Sequence, residues 1–134
     1  MREYFVDAWL IIAALDRDDQ HHLAARRIGS ALASDALVTH EGVFIEVLAS
    51  FSSDGPRSRQ AAVDAVRNAR RRWTVMRVDG GLFDRGLDRY ERRPDKEYSL
   101  VDCMSMVLME DRGIRHVLTN DHHFTQAGFI VVNR

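Results

Sequence analysis

Cysteine is nearly missing from this chain: Cys103 is the only one in 134 residues, so no internal disulfide can form. A chain of this kind suits a reducing compartment, and the cytosol is the expected location. Cys103 lies in the apolar run 101–108 and reads as a small buried residue. No base stands near it in the sequence to activate a thiol. Lysine is almost as scarce, since 18 of the 19 basic residues are Arg and Lys96 stands alone. A receiver-type signalling domain needs a lysine beside its phosphorylated Asp. Lys96 sits in a polar loop after Pro94, which makes that class a poor fit.

Long hydrophobic runs are also lacking. The strongest, AWLIIAAL at 8–15, is too short to cross a bilayer. As a signal-peptide core it is unconvincing, because Asp7 interrupts the apolar stretch that begins at Tyr4. Neither secretion nor a membrane role is therefore expected. No Gly-rich phosphate loop, internal repeat, low-complexity tract or linker is visible. Charge of one sign is missing too: 19 basic and 20 acidic residues give a net charge of −1. That excludes a uniformly basic nucleic-acid coat but allows a local patch. Arg67, Arg70, Arg71 and Arg72 crowd together, either as a solvated helix face or as a patch that contacts phosphate or a partner.

What is present fits one domain, 1–134, with enough apolar residues (46%) for a core. Strands are expected at 4–6, 36–39, 73–78, 116–118 and 129–132. Helices are expected at 8–15, 21–32, 42–51, 57–72, 82–92 and 99–111, with a short segment at 122–127. Strands that alternate with helices imply right-handed crossovers and a mainly parallel sheet between helical layers, an α/β class. Sites in such sheets form at the carboxyl ends of strands, here Asp7, His40, Glu41, Asp79 and Asn120–Asp121.

Four acids carry the chemistry. Asp7 separates an apolar strand from an apolar helix, where a carboxylate is costly unless satisfied; it is either a helix N-cap or a metal ligand. Asp121 follows the strand HVLT in the same manner, with the same two readings. Asp102 lies three residues after Ser99, a capping-box spacing, yet its helix is apolar nearly all round and so central. Glu46 lies mid-helix in VFIEVLASF, as an exposed face residue or a fourth site acid; Glu41 is its substitute. Four acids at one sheet end repel one another, which makes sense if divalent cations bind there. Oxygen-only ligands suit Mg²⁺ or Mn²⁺, and two such ions can drive phosphodiester hydrolysis without a protein nucleophile. The pairs His21–His22 and His122–His123 read as surface or loop histidines, each pair able to offer one ligand at most, though His122 or His123, being near Asp121, could touch substrate phosphate. A haloacid-type phosphatase would need Asp-x-Asp after the first strand, and the sequence is Asp7-Ala8-Trp9.

Four segments in order complete the picture: YFVDAWLIIAALDRDDQHH, LVTHEGVFIEVLASF, YSLVDCMSMVLMEDRGI and HVLTNDHHFTQAGFIVV. Together they resemble the PIN domain, and within it the VapC-like toxins of toxin–antitoxin pairs. The resemblance covers the whole chain. It implies a three-layer α/β/α sandwich and a metal-dependent endoribonuclease, with Asp7, Glu46, Asp102 and Asp121 as catalytic, metal-binding acids. Thr119 would place Asp121 through its hydroxyl. The implied partners are RNA, a separate antitoxin chain and a second copy of this chain. Two positions depart from the pattern: Trp9 stands where relatives carry Ser, Thr or Asn, and Asn120 where some carry another acid. The alternative is a non-catalytic PIN-like module that binds RNA or protein and keeps the acids without activity.

Overall fold

The computed structural model describes residues 2–134. Strand β1 (Glu3–Val6) runs into helix α1 (Ala8–Leu15), and α2 (His22–Ala31) returns the chain to β2 (Ala36–His40). Helices α3 (Glu41–Ser50) and α4 (Pro56–Arg72) precede β3 (Thr74–Met76). Helices α5 (Gly80–Arg92) and α6 (Leu100–Arg112) lead to β4 (His116–Leu118). The short α7 (His122–Gln126) then joins β5 (Ile130–Val132).

Every strand pair is parallel, in the order β3-β2-β1-β4-β5. Phe5 pairs with Val38 on one side and Val117 on the other, so β1 is central. Its Phe5 and Val6 are fully buried, as expected of a strand covered on both faces. The first three strands step in one direction and the last two are added on the far side of β1. Right-handed crossovers then put the connecting helices on opposite faces. Helices α1 to α4 pack together, and α5 packs against α6, which gives the three expected layers. Strand order reverses between β1 and β4. A crevice opens at the carboxyl ends of strands at such a point.

The element boundaries shift from expectation for local reasons. Pro56, expected in the loop, begins α4 at its first turn, where the missing N–H costs nothing. Helix α5 starts at Gly80 because Asp79 caps it, accepting from the Leu82 N–H at 2.8 Å. Strand β3 spans three residues, not 73–78, because the chain leaves the ladder: the Val78 N–H donates to Glu41 Oε1 at 3.0 Å. Asp79 and Glu41, both strand-end candidates, are thus used in building the fold.

Helix α6 is the central rod. Residues 102–109 are all buried, and Gly113 (φ 69°) ends the helix in the left-handed conformation. His40 braces it from β2. Ser105 Oγ donates to the Val101 carbonyl at 2.8 Å, so its lone pair accepts from His40 Nε2 at 2.9 Å. His40 Nδ1 accepts the Gly42 N–H at 3.0 Å. The ring is held as the neutral Nε2–H tautomer, and burial lowers its pKa to about 4. His40 is accordingly a structural strut and no candidate base.

Helices α5 and α6 approach closely at Gly86. A Cβ there would meet Met104 Cγ at 2.5 Å and its backbone nitrogen at 3.3 Å. Gly86→Ala should therefore destabilise the fold by about 1–3 kcal/mol, despite alanine's better helix propensity. Urea unfolding checks this; an unchanged or higher midpoint would mean that the helices do not meet as described.

Candidate active site

Asp7 is buried at the end of β1, in N-cap position ahead of α1, but its side chain makes no capping hydrogen bond. Its Oδ2 accepts from Thr119 Oγ1 at 2.7 Å instead. The same Thr119 oxygen accepts the Asp121 N–H at 3.1 Å. Thr119 is fully buried at the end of β4, so one hydroxyl joins both strand ends of the crevice. It places Asp121, as the resemblance implied, and orients Asp7 as well.

Asp121 caps α7, with Oδ1 accepting from the His123 N–H at 2.9 Å. Asp102 and Ser99 form a complete capping box: the Asp102 N–H donates to Ser99 Oγ at 3.0 Å, and the Ser99 N–H to Asp102 Oδ2 at 3.1 Å. Capping does not exhaust either acid, because a carboxylate has about four acceptor positions. For Asp102 and Asp121 capping occurs without excluding a site role; for Asp7 it does not occur.

Glu46 joins them from α3. Its pKa is raised to about 7, first by burial and then by the charges of Asp7, Asp102 and Asp121. Asp7 is raised to about 6, mainly by burial, with Asp102 and Asp121 adding repulsion. Asp102 is raised by burial first and also by Asp121. Thr119 and His123 thus tie Asp7, Asp121 and Asp102 together at one end of the sheet, and Glu46 on α3 feels the charges of all three. Among the described residues no Arg or Lys pairs with any of them. Every influence on Glu46 opposes its charge. Crowded, oxygen-rich and uncompensated, the donor set fits hard divalent cations.

His123, expected on the surface or in a loop near Asp121, has a side chain only 16% exposed, with Nδ1 3.1 Å from Asp121 Oδ1 and 3.7 Å from Asp102 Oδ2. Its ring stands edge-on to buried Tyr98 at 5.6 Å. His122 is 75% exposed as expected, but its ring lies 4.6 Å from that of His123. Possible ligand atoms of Asp121, His122 and His123 all lie within 4.8 Å of one another. The expectation of one ligand per pair assumed a regular helix, whereas these residues form the first turn of a five-residue one. Tyr98, four residues before Asp102, was the available clue.

Other candidates lie apart. Arg67, Arg70, Arg71 and Arg72 are exposed on α4, and the last three suit the negative end of its dipole. Trp9 packs edge-on against His21 at 5.9 Å. Asn120 accepts from Asn133 Nδ2 at 2.9 Å. Cys103 is buried, as expected.

Comparison with known proteins identifies the family to which this parallel sheet belongs. The PIN domain model matches residues 4–130, and the chain belongs to that family. It is 28% identical over 131 residues to the 23S rRNA-specific endonuclease VapC20 of Mycobacterium tuberculosis, across 96% of each chain. The crystal structure of that protein, a Sarcin-Ricin loop cleaving toxin, matches with a TM-score of 0.82 at 27% identity, over 98% of this chain and 99% of that one. VapBC2 from Rickettsia felis, bound to a promoter DNA fragment, shares the fold with a TM-score of 0.69 at 12% identity, over 98% of each chain.

Burial of Glu46, reinforced by the neighbouring charges, makes stability depend on pH. A carboxyl whose folded pKa lies above its unfolded value stabilises the fold fully below the unfolded value. That stability is lost as pH rises through the folded value. For Glu46 the window runs from 4.5 to about 7. Glu46→Gln should therefore raise the melting temperature of the metal-free protein at pH 8 by a few degrees, on the order of 1 kcal/mol. The gain should shrink toward zero by pH 4.5. His40 titrates alike in both proteins and cancels. Paired melting curves across this range test it, and equal stability at pH 8 would refute the crowding of Glu46.

Proposed function

We propose that this chain, as a single domain over residues 1–134, is a metal-dependent endoribonuclease and the toxin of a toxin–antitoxin pair. The observation that carries the reading is the grouping of Asp7, Glu46, Asp102 and Asp121 near the point where the strand order reverses, with no Arg or Lys among the described residues paired to them. Similarity to an rRNA endonuclease along nearly the whole chain supports the reaction class. On this reading the substrate is RNA, and the site of action is the cytosol. No described helix is long and apolar enough to cross a membrane.

The four acids would hold Mg²⁺ or Mn²⁺, and such ions supply water activation and charge neutralisation at a phosphodiester. The chain itself supplies position. Thr119 fixes the rotamer of Asp7, the capping box fixes Asp102, and the first turn of α7 fixes Asp121. Rigid carboxylates of this kind present their oxygens without further ordering when a cation and a phosphate arrive. The partners on this reading are RNA, an antitoxin chain and a second copy of the protein. Ile45 and Leu48 on α3, 65% and 38% exposed, are available for a homodimer contact. Light scattering at micromolar concentration should give twice the chain mass; a monomer mass would remove the dimer from the proposal.

The chemistry has a direct test. RNA should be cut only with Mg²⁺ or Mn²⁺ and should leave a 5′-phosphate, because water and not the RNA 2′-hydroxyl attacks. A cyclic phosphate product would instead mean attack by the 2′-hydroxyl with His as acid and base. Asp7→Asn keeps the size of the side chain and should reduce cleavage to background in a folded protein. Thr119→Val should lower metal affinity by about 10- to 100-fold, as loss of a supporting partner does. Wild-type cleavage by folded Asp7→Asn would reject the assignment.

A further inference from the structure

We infer that His123 is a nitrogen ligand of the divalent site, making it a mixed carboxylate–imidazole centre that takes a transition ion in preference to Mg²⁺. The inference rests on the metal-dependent function proposed for this site and adds one donor to it. Three independent observations carry it. His123 Nδ1 is out of contact with solvent and has no hydrogen-bond partner. The same atom stands 3.1 Å from Asp121 Oδ1 and 3.7 Å from Asp102 Oδ2, facing two of the four acids. The ring packs in a T-shaped contact, centroids 5.6 Å apart, against buried Tyr98.

A buried, unpaired ring nitrogen beside two carboxylates is costly as it stands. Were it a protonated donor aimed at Asp121, a hydrogen bond would form at this distance, and the alignment does not provide one. A shared cation resolves both problems. Ligand atoms about 2.1 Å from one ion lie about 3 Å apart at a right angle and about 4 Å apart when opposite. The two measured separations fall within that range. Imidazole is a poor ligand for Mg²⁺, which demands oxygen donors and keeps its waters, but it suits first-row transition ions. His122, mostly exposed with Nδ1 3.9 Å from Asp121 Oδ1, is the comparison residue.

The test uses the full-length protein loaded with Mn²⁺, whose unpaired electrons report bound nitrogen by electron spin-echo envelope modulation. Wild type should show directly coordinated ¹⁴N, changing to the ¹⁵N pattern when all histidines carry ¹⁵N. His123→Gln should lose the nitrogen signal and bind Mn²⁺ about tenfold more weakly by calorimetry, with Mg²⁺ affinity changed less than threefold. His122→Gln should keep the signal. If wild type binds Mn²⁺ in an Asp7-dependent manner but shows no nitrogen coupling, His123 is not a ligand and the carboxylate site stands without it. Coupling that survives His123→Gln, or disappears in His122→Gln, also overturns the assignment. If no Mn²⁺ binds, the metal site itself falls, and the nitrogen ligand with it. The isotope experiment needs only the wild-type protein, so it remains decisive even where a variant is unstable.

Discussion

A single buried hydroxyl links the acids that follow the two central strands, adding a side-chain tie to the backbone ladder of β1 and β4. Thr119 donates to Asp7 and accepts the amide N–H of Asp121, so the positions of the two carboxylates are coupled. The arrangement works because Thr119 is fully buried, where a hydrogen bond to a charged group is strong and has no competition from water. Asp7 needs such support, since burial and two neighbouring acids both oppose its charge. Without the hydroxyl the carboxylate would have reason to turn toward solvent or take up a proton.

The fold makes this contact possible by topology. Strand β1 is central, and the chain adds strands first on one side of it and then on the other. Helix α3 therefore descends from one face and α6 from the other, and Glu46 and Asp102 reach the same crevice from opposite layers. Burial first, and then repulsion among the acids, opposes their charged forms. The stiff central helix α6, capped at Ser99 and closed at Gly113, holds against that repulsion. His40 adds to that stiffness by fastening β2 to Ser105 with its ring in one tautomer.

Much of this was legible in the sequence. Asp7 and Asp121 announced themselves because each ends an apolar strand, and Asp102 because it interrupts an apolar helix. The spacing from Ser99 to Asp102 gave the capping box outright. Glu46 was weaker, because an acid in mid-helix is ordinarily a solvated residue; only the positions of the other three make it a neighbour. Glu41 and Asp79 looked equally well placed at strand ends. What separated them was place: the charges that act on Glu46 are those of Asp7, Asp102 and Asp121, while Glu41 and Asp79 are turned to the amides of Val78 and Leu82, whose positions depend on where β3 stops. Strand termini of that kind are set by tertiary pairing and not by residue type.

His123 was hidden for a related reason. Residue periodicity tells which side chains share a face only over a regular helix of several turns. Helix α7 has five residues, and its first turn is shaped by Asp121 accepting the amide of His123 itself. The cap that fixes Asp121 therefore also brings the imidazole against it. Tyr98 completes the enclosure from the segment before α6, far from His123 in sequence and in contact only after folding. A site residue delivered by a short capped turn carries no periodic signature. Its visible traces are the capping acid before it and an aromatic residue elsewhere in the chain to close over its ring. Both are present here, on either side of the pair of acids that the sequence did reveal.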